Sequence, residues 1–127
     1  MDIDSNLKTV SDAAINKLMD DVWGIKAIVI STEDGFEIAA RIENADHISR
    51  LAAMASSLAA LGAIAGEESQ LGICDNIMIG AENGYLIMLQ AKHPKINLII
   101  SIITGKDAVM GQVLYFAKQA SKSLEAA

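Results

Sequence analysis

The sixteen residues LAAMASSLAALGAIAG, from Leu51 to Gly66, contain no charged side chain. The run is rich in alanine, the strongest helix former, and it therefore predicts a helix. A surface helix of a globular domain normally turns a charged face to water. A helix without such a face should be covered on both sides, by its own sheet on one side and by a second protein chain on the other. The run predicts an interaction module.

Other features of the chain favour a cytoplasmic location. A membrane-spanning helix needs about 20 apolar residues, whereas the charge-free run is shorter and contains Ser56 and Ser57. We therefore expect no membrane insertion. The start of the chain, residues 1–4, is acidic and lacks the basic and apolar pattern of a signal peptide. The single cysteine, Cys74, excludes an intrachain disulfide, which fits a reducing compartment.

Length and composition are typical of one folded domain over residues 1–127. Hydrophobic residues make up 52% of the chain but aromatic residues only 4%, which predicts an aliphatic core. The net charge is −6, and no stripe of lysine and arginine interleaved with aromatic residues is present. Nucleic acid is therefore not an expected partner.

The spacing of apolar residues predicts three helices. The first should be capped by Asp4 or Ser5, the second by Asn44 or Asp46, and the third by Asp107. Each of these residues can accept a hydrogen bond from the first turn of a helix. The second helix contains the charge-free run.

Runs rich in β-branched or alternating residues predict five strands. They cover residues 25–31, 36–42, 70–79, 85–90 and 98–104. The second run alternates, which predicts a strand near a sheet edge with Glu37, Ala39 and Arg41 on its water-facing side. Asn83-Gly84 predicts a hairpin. The last two runs are apolar on both faces, so helices should cover both sides of the sheet. The predicted fold is an αββαβββα sandwich of the α+β class, with a five-stranded antiparallel sheet.

The second helix separates into two faces at about 100° per residue. The stripe expected to face the sheet contains Ile48, Leu51, Ala52, Ala55, Leu58, Ala59, Gly62 and Ala65. The opposite face contains Ala53, Met54, Ser57, Ala60, Leu61 and Ile64. Exposed apolar patches of this kind mark interaction sites. A loop of the same chain is the alternative cover, which the short and polar loops disfavour.

The third predicted strand extends this surface, because an unpaired sheet edge invites another strand. Its contribution to the predicted interface consists of Ile73, Cys74, Asp75, Asn76 and Ile77. A two-fold axis could pair helix with helix and edge with edge at once.

Several segments, taken in order, resemble the roadblock family of dynein light-chain-related domains. They are Gly24–Ile30, Asp34–Ala39, Leu51–Leu58, Gly84–Ile87 and Ala108–Gly111. The resemblance implies a profilin-like sandwich that forms a homodimer, or a heterodimer with a paralogous chain, through the second helix and the third strand. It also implies a small Ras-like GTPase as partner, and a role in arranging that partner's own catalytic groups.

Motifs for catalysis or cofactor binding are not found in the sequence. There is no phosphate-binding loop, so the chain should bind a nucleotide-binding protein and not the nucleotide. His47 and His93 are isolated, which disfavours a metal site. We expect no enzymatic activity and no cofactor. Two alternatives stay open, a nucleotide-independent scaffold subunit and a small-molecule sensor, although the buried segments offer a ligand few polar groups beyond Ser101 and Asn76.

Overall fold

The computed structural model describes residues 5–42 and 47–127, and its elements follow the predicted order. The α+β fold with an αββαβββα order is confirmed. The elements are α1 (Ser5–Asp21), β1 (Ile25–Thr32), β2 (Glu37–Arg41), α2 (Ile48–Glu68), β3 (Asn76–Ala81), β4 (Gly84–Lys92), β5 (Asn97–Gly105) and α3 (Met110–Glu125).

The five strands form one antiparallel sheet in the order β2-β1-β5-β4-β3, so β2 and β3 are its edges. Helices α1 and α3 pack against one face of the sheet and α2 packs against the other. The larger core lies on the α1–α3 side. Its fully buried side chains include Leu18, Ile28, Ile30, Ile87, Leu98, Ile100, Ile102, Val113 and Leu124.

Helix α2 buries very little of its own surface. Of its 21 residues only Ala52 and Ala55 are buried. Ala55 joins Met88 and Ile99 in a small second core. The predicted sheet-facing stripe is buried or half-buried except at Ala65, which is exposed. Near the end of α2, residues other than Ala65 contact the following loop, and Ala65 therefore remains exposed.

The third strand begins later than the sequence predicts, because residues 69–75 form a loop. The N–H of Leu71 donates to the carbonyl of Gly66 at 2.9 Å, and the N–H of Gln70 donates to that of Glu67 at 3.0 Å. With Gln70 at φ 59°, these bonds form a Schellman motif that ends α2. Left-handed backbone is incompatible with an extended strand. The apolar residues of this loop therefore do not form the strand that the sequence predicts to begin at residue 70.

A β-bulge disturbs the predicted alternation in β2. Ile30 pairs with Ala39 and Ser31 pairs with Glu37, which leaves Ile38 as the extra residue. Ile38 and Ala39 are both buried, at 3% and 1% exposure, and both belong to the α1–α3 core. The expectation that Ala39 faces water is wrong for this reason.

The predicted helix caps receive no support from the described residues. Helix α1 begins at Ser5, but Asp4, Asn44 and Asp46 lie outside the described residues. Asp107 does not cap α3, because the turn after β5 delays the helix to Met110 and no side chain caps it.

The predicted hairpin is present, but Gly84 is not needed there to provide positive φ in the turn. Ala81 pairs with Gly84, so residues 82 and 83 form the connection. A Cβ added at Gly84 would lie 2.0 Å from the carbonyl oxygen of Thr104. Glycine is required there for the close approach of β4 to β5.

By length and composition, α2 is the one helix among the described residues that could cross a membrane. The helix extends beyond the charge-free run at both ends. The expectation that this segment is too short to span a membrane is therefore wrong. Topology supplies a different argument. Strands β2 and β3, which precede and follow α2, belong to the same sheet on which α2 packs. A spanning α2 would place them on opposite sides of the membrane and disrupt that sheet.

Candidate protein interface

The outward face of α2 is exposed along its whole length. All six residues predicted for this face are exposed: Ala53, Met54, Ser57, Ala60, Leu61 and Ile64. The three large side chains are exposed by 48% at Met54, 61% at Leu61 and 57% at Ile64. Exposure of this kind is costly in water unless another molecule covers it.

A loop of the same chain reaches only the flank of α2. The turn between β1 and β2 approaches through Gly35, where an added Cβ would lie 3.6 Å from Ala53 Cα and 3.6 Å from Ser56 Cβ. The hydroxyl of Ser56 donates to the carbonyl of Glu33 at 2.7 Å. These contacts hold the turn beside the helix and leave the outward face uncovered by the described residues.

The loop over residues 69–75 adds two strongly exposed side chains next to this face. Leu71 is exposed by 83% and Ile73 by 88%. Between this loop, the second half of α2 and the start of β3 lies an open groove of about 570 Å³. Its lining includes Leu58, Leu61, Gly62, Ile73, Cys74 and Ile77.

Glycines in α2 create the close approach that shapes this groove. A Cβ at Gly62 would lie 2.8 Å from Ile77 Cδ1, and a Cβ at Gly66 would lie 2.5 Å from the carbonyl oxygen of Gly72. The helix can therefore rest directly on the loop and on β3. The sequence predicts Gly62 on the sheet-facing stripe and Gly66 at the end of the charge-free run, but it does not predict these close contacts.

Strand β3 provides an edge whose outer side has no partner among the described residues. It pairs only with β4. The register places Ile77 and Ile79 on the α2 side of the sheet, and Met78 on the other. Met78 is 45% exposed and Ile79 38%. An apolar edge strand of this kind readily adds another strand.

Not all predicted interface residues point toward this surface. Asp75 lies in the loop, and its carboxylate pairs with Lys118 of α3 at 3.3 Å. Asn76 opens β3 on the α1–α3 side of the sheet and donates to Asp75 at 3.2 Å. Cys74 is half-buried under Gly62, with its thiol 3.5 Å from the carbonyl of Asn76. The structure thus brings Ile73, Cys74 and Ile77 to the face of α2, whereas Asp75 lines the same groove but directs its carboxylate to α3.

Sequence reasoning missed three exposed side chains that extend the surface: Leu71, Met78 and Ile79. The sequence does contain a signal for them. An apolar residue in a polar loop predicts a covering partner, and so do apolar residues on both faces of an edge strand. The predicted strand over residues 70–79 hides that signal, because it treats loop residues and strand residues as one element.

The described residues contain little that could support chemistry. No group of three or more histidine, cysteine, aspartate or glutamate side chains could hold a metal ion there. The buried side-chain atoms without a hydrogen-bond partner are scattered over four elements or loops: Ser11 Oγ, Ser31 Oγ, His93 Nε2 and Ser101 Oγ. They do not converge on one described cavity.

A cavity of about 280 Å³ lies between α1 and α3. Its lining is mainly apolar, and the ammonium of Lys17 pairs with Asp21 at 2.9 Å at its side. The hydrogen bond and charge of Asp21 raise the pKa of Lys17 above its usual value. The size is at the lower limit for a small-molecule site, and the two opposite charges satisfy each other.

Comparison with known proteins identifies the domain. Residues 12–102 match the family model of the Roadblock/LC7 domain. None of the curated proteins matches the chain in sequence.

Solved structures of similar fold cover nearly the whole chain. The Roadblock/LC7 domain from Streptomyces avermitilis is 21% identical with a TM-score of 0.81, and the match covers 91% of this chain and 94% of that one. MglB from Myxococcus xanthus is 16% identical with a TM-score of 0.84, covering 99% and 92%. The gliding protein MglB from Thermus thermophilus is 13% identical with a TM-score of 0.84, covering 98% and 92%. The resemblance inferred from sequence is confirmed.

Proposed function

The chain belongs to the Roadblock/LC7 family, and on that premise we propose that it is a non-catalytic homodimeric subunit that binds and modulates a small Ras-like GTPase. The observation that carries the proposal is the exposed apolar face of α2 beside the open edge of β3. A second copy of the chain would cover both features at once.

The distribution of exposed side chains supports a dimer. Eleven large hydrophobic side chains are exposed in the described residues, and seven of them lie on α2, the 69–75 loop and β3. These seven are Met54, Leu61, Ile64, Leu71, Ile73, Met78 and Ile79. Concentration of apolar area in one region distinguishes an interface from ordinary scattered exposure.

A solved structure of MglB that is 13% identical to this chain, with a TM-score of 0.83, has a tetrameric arrangement. Assembly of copies therefore occurs in a protein of the same fold, which supports assembly of this chain. A closed two-fold contact through α2 and β3 is the simplest arrangement, because each copy supplies both surfaces.

The GTPase is proposed as partner on the family resemblance, together with the chemistry of the chain. The sequence contains no phosphate-binding loop. Nucleotide dependence would therefore come from the partner, and modulation would act by positioning groups of the GTPase itself.

The dimer is tested with Leu61→Glu, which places a charge at the centre of the exposed face. We expect a monomer by light scattering at concentrations where the wild type is a dimer, since an unpaired charge buried in an interface costs several kcal/mol. Tyr115→Glu is the matched control, because Tyr115 is 58% exposed on α3, on the other side of the sheet. A dimeric Leu61→Glu variant would show that the wrong face has been assigned.

The partner is tested by incubating the purified chain with the small GTPases of its host, each loaded with GTP analogue or with GDP. Preferential capture of one loaded state is the expected result. Capture that ignores the bound nucleotide would favour the nucleotide-independent scaffold. Absence of any GTPase would refute the partner while leaving the dimer intact.

A further inference from the structure

The charged side chains of α2 lie only at its two ends. The helix is described over its full length, and its charged residues are Arg50 near the start and Glu67 and Glu68 at the end. All three are exposed. Helix periodicity places them on the outward face, because Arg50 stands one turn before Met54 and Glu68 one turn after Ile64. The exposed apolar face is therefore bounded by a cation at one end and by two anions at the other.

Each of these charges opposes the dipole of its own helix. A helix carries partial positive charge at its N-terminal end and partial negative charge at its C-terminal end, so an anion is favoured at the start and a cation at the end. Helix α2 has no acidic residue in its first turn and no basic residue in its last turn. Arg50 and the two glutamates occupy the disfavoured ends instead. The single helix is therefore weakened slightly by its own charges.

Neither end of α2 forms an ion pair within the described part of the chain. The ion pairs there lie in α1 and between α3 and the 69–75 loop. In the turn beside the first half of α2, the carboxylate of Asp34 accepts a hydrogen bond from Thr32 at 2.5 Å. The carboxylate of Glu33 accepts one from Asn97 at 3.3 Å. The charges at both ends of α2 are therefore available to a second chain.

An antiparallel second copy of α2 would place opposite charges side by side. The midpoint between Arg50 and the two glutamates falls at the level of residues 58 and 59, between Ser57 and Ala60 of the outward face. Small side chains at this level let two helices approach closely. With a two-fold axis there, Arg50 of one copy and the glutamates of the other both lie about 13 Å along the helix from the axis.

We infer that Arg50 of each copy pairs with Glu67 or Glu68 of the other copy, and that these two pairs make the chain select an antiparallel copy of itself. The inference rests on the dimer of the proposed function. The pairs bring anions to the start of each helix and a cation to the end of each, where the helix dipoles favour them. The charges that weaken the single helix therefore stabilise the pair of helices.

The apolar part of the face does not select this orientation by itself. Between its charged ends the face presents only small or apolar side chains, whose contacts have little directional preference. A copy turned round would bury a similar apolar area. It would, however, place Arg50 against Arg50 and the glutamates against glutamates. Like charges brought together at an interface reject a wrong partner or a wrong orientation.

The test measures the dimer dissociation constant of the full chain by sedimentation equilibrium. Arg50→Glu should raise it at least about tenfold, because two symmetry-related attractions become repulsions. Glu67→Lys combined with Glu68→Lys should act in the same way. The variant with all three changes should dimerise nearly as well as the wild type, since each pair is then reversed and not broken. Lys122→Glu is the matched control, because it makes an equal change of charge at an exposed position of α3 and should leave the constant unchanged.

Mixing two variants gives an independent measurement. The Arg50→Glu chain and the chain with Glu67→Lys and Glu68→Lys, each weakly dimeric alone, should form a tight heterodimer, since both contacts then join opposite charges. Sodium chloride should weaken the wild-type dimer and strengthen the Arg50→Glu dimer, because screening reduces attraction and repulsion alike.

Each contrary outcome has a separate meaning. A wild-type chain that is monomeric at every concentration would refute the dimer of the proposed function and this inference with it. A dimer whose dissociation constant is unchanged by the charge substitutions would overturn the inference alone. Substitutions that leave dimerisation intact but abolish capture of the GTPase would assign the ends of α2 to that partner, which also overturns the inference.

Urea melts in the monomeric range test whether Arg50 pairs within its own chain. Glu43 and Asp46 precede α2 in sequence and lie outside the described residues. Arg50→Glu should leave monomer stability unchanged or slightly raised, because an anion is favoured at the start of a helix. A loss of monomer stability would show that Arg50 has an acidic partner in its own chain and would overturn the inference. Circular dichroism of each variant checks that the fold is retained.

Discussion

Helices α1 and α3 differ sharply from α2 in what they contribute to the core, although all three pack on the same sheet. Five of the 17 residues of α1 and four of the 16 residues of α3 are buried, against two of the 21 residues of α2. The buried residues of α1 and α3 include leucine, isoleucine and valine, whereas those of α2 are both alanine. Burial of large side chains supplies most of the stability of a domain.

This difference assigns separate tasks to the two faces of the sheet. The α1–α3 side holds the single chain together, since its side chains fill the space between helices and strands. The α2 side presents small residues to the sheet and its larger ones, Met54, Leu61 and Ile64, to solvent. In the proposed dimer, a second chain would supply most of the burial of an α2 helix of this composition. With the proposed function, the α1–α3 face would be stable in the single chain, and the α2 face would be completed by the second copy.

The largest expected effect compares Ile100→Ala with Leu61→Ala. Ile100 is fully buried in the α1–α3 core, so its truncation should lower the free energy of unfolding by about 2–5 kcal/mol. That loss should be the same at every protein concentration. Leu61→Ala should change stability mainly where the wild type is dimeric, because binding of a second copy adds stability by mass action.

Urea melts at several protein concentrations separate the two variants. If Leu61→Ala lowers stability equally in the monomeric and dimeric ranges, α2 is part of the intrinsic core and the contrast between the faces is wrong. If Ile100→Ala is tolerated with little loss, the core has been placed on the wrong side of the sheet.

A smaller effect is expected when a glycine of α2 and a glycine of α3 are each replaced by alanine. Gly66→Ala in α2 adds a Cβ 2.5 Å from the carbonyl oxygen of Gly72. The resulting clash should cost about 1–3 kcal/mol, more than alanine gains as a helix former. Gly111→Ala in α3 adds a Cβ with no neighbour within 4 Å, so it should raise stability by up to about 1 kcal/mol. Thermal melts of both variants give the comparison.

Whether Gly66→Ala lowers or raises stability decides whether the groove beside α2 is a fixed feature. A stabilised Gly66→Ala variant would mean that the loop over residues 69–75 moves aside easily and that the groove beside α2 is not a fixed feature. A destabilised Gly111→Ala variant would point to a role for Gly111 beyond the open surroundings described above, and it could then no longer serve as a control.

Sequence patterns predicted the parts of this fold where burial follows a simple period. The charge-free run gave the helix α2 and its exposed face, and the apolar runs of β4 and β5 gave a sheet covered on both sides. The order of elements followed from these patterns together with turn residues. These signals are strong because each extends over many residues.

The errors occurred where backbone conformation overrides the pattern. The bulge at Ile38 buries two successive residues, the Schellman motif at Gln70 turns an apolar segment into a loop, and the turn after β5 delays α3. None of these leaves a period in the sequence.

The smallest expected effect concerns the loop that ends α2. Gln70 holds φ 59° at the position where a Schellman motif usually has glycine. A residue with a Cβ pays about 1–2 kcal/mol to adopt left-handed backbone. Glycine avoids this cost, but part of the gain is offset because glycine has more conformational freedom to lose from the unfolded chain. Gln70→Gly should therefore raise the free energy of unfolding by about 0.5–1 kcal/mol.

Gln70→Ala is the matched control, because alanine keeps the Cβ and should gain nothing from relief of strain. The gain in Gln70→Gly should be equal in monomer and dimer, since the motif is satisfied by hydrogen bonds within one chain. Light scattering and urea melts of the same samples measure both quantities. A gain that appears only in the dimeric range would mean that the loop adopts this turn only against a second copy. The end of α2 would then belong to the dimer and not to the single chain.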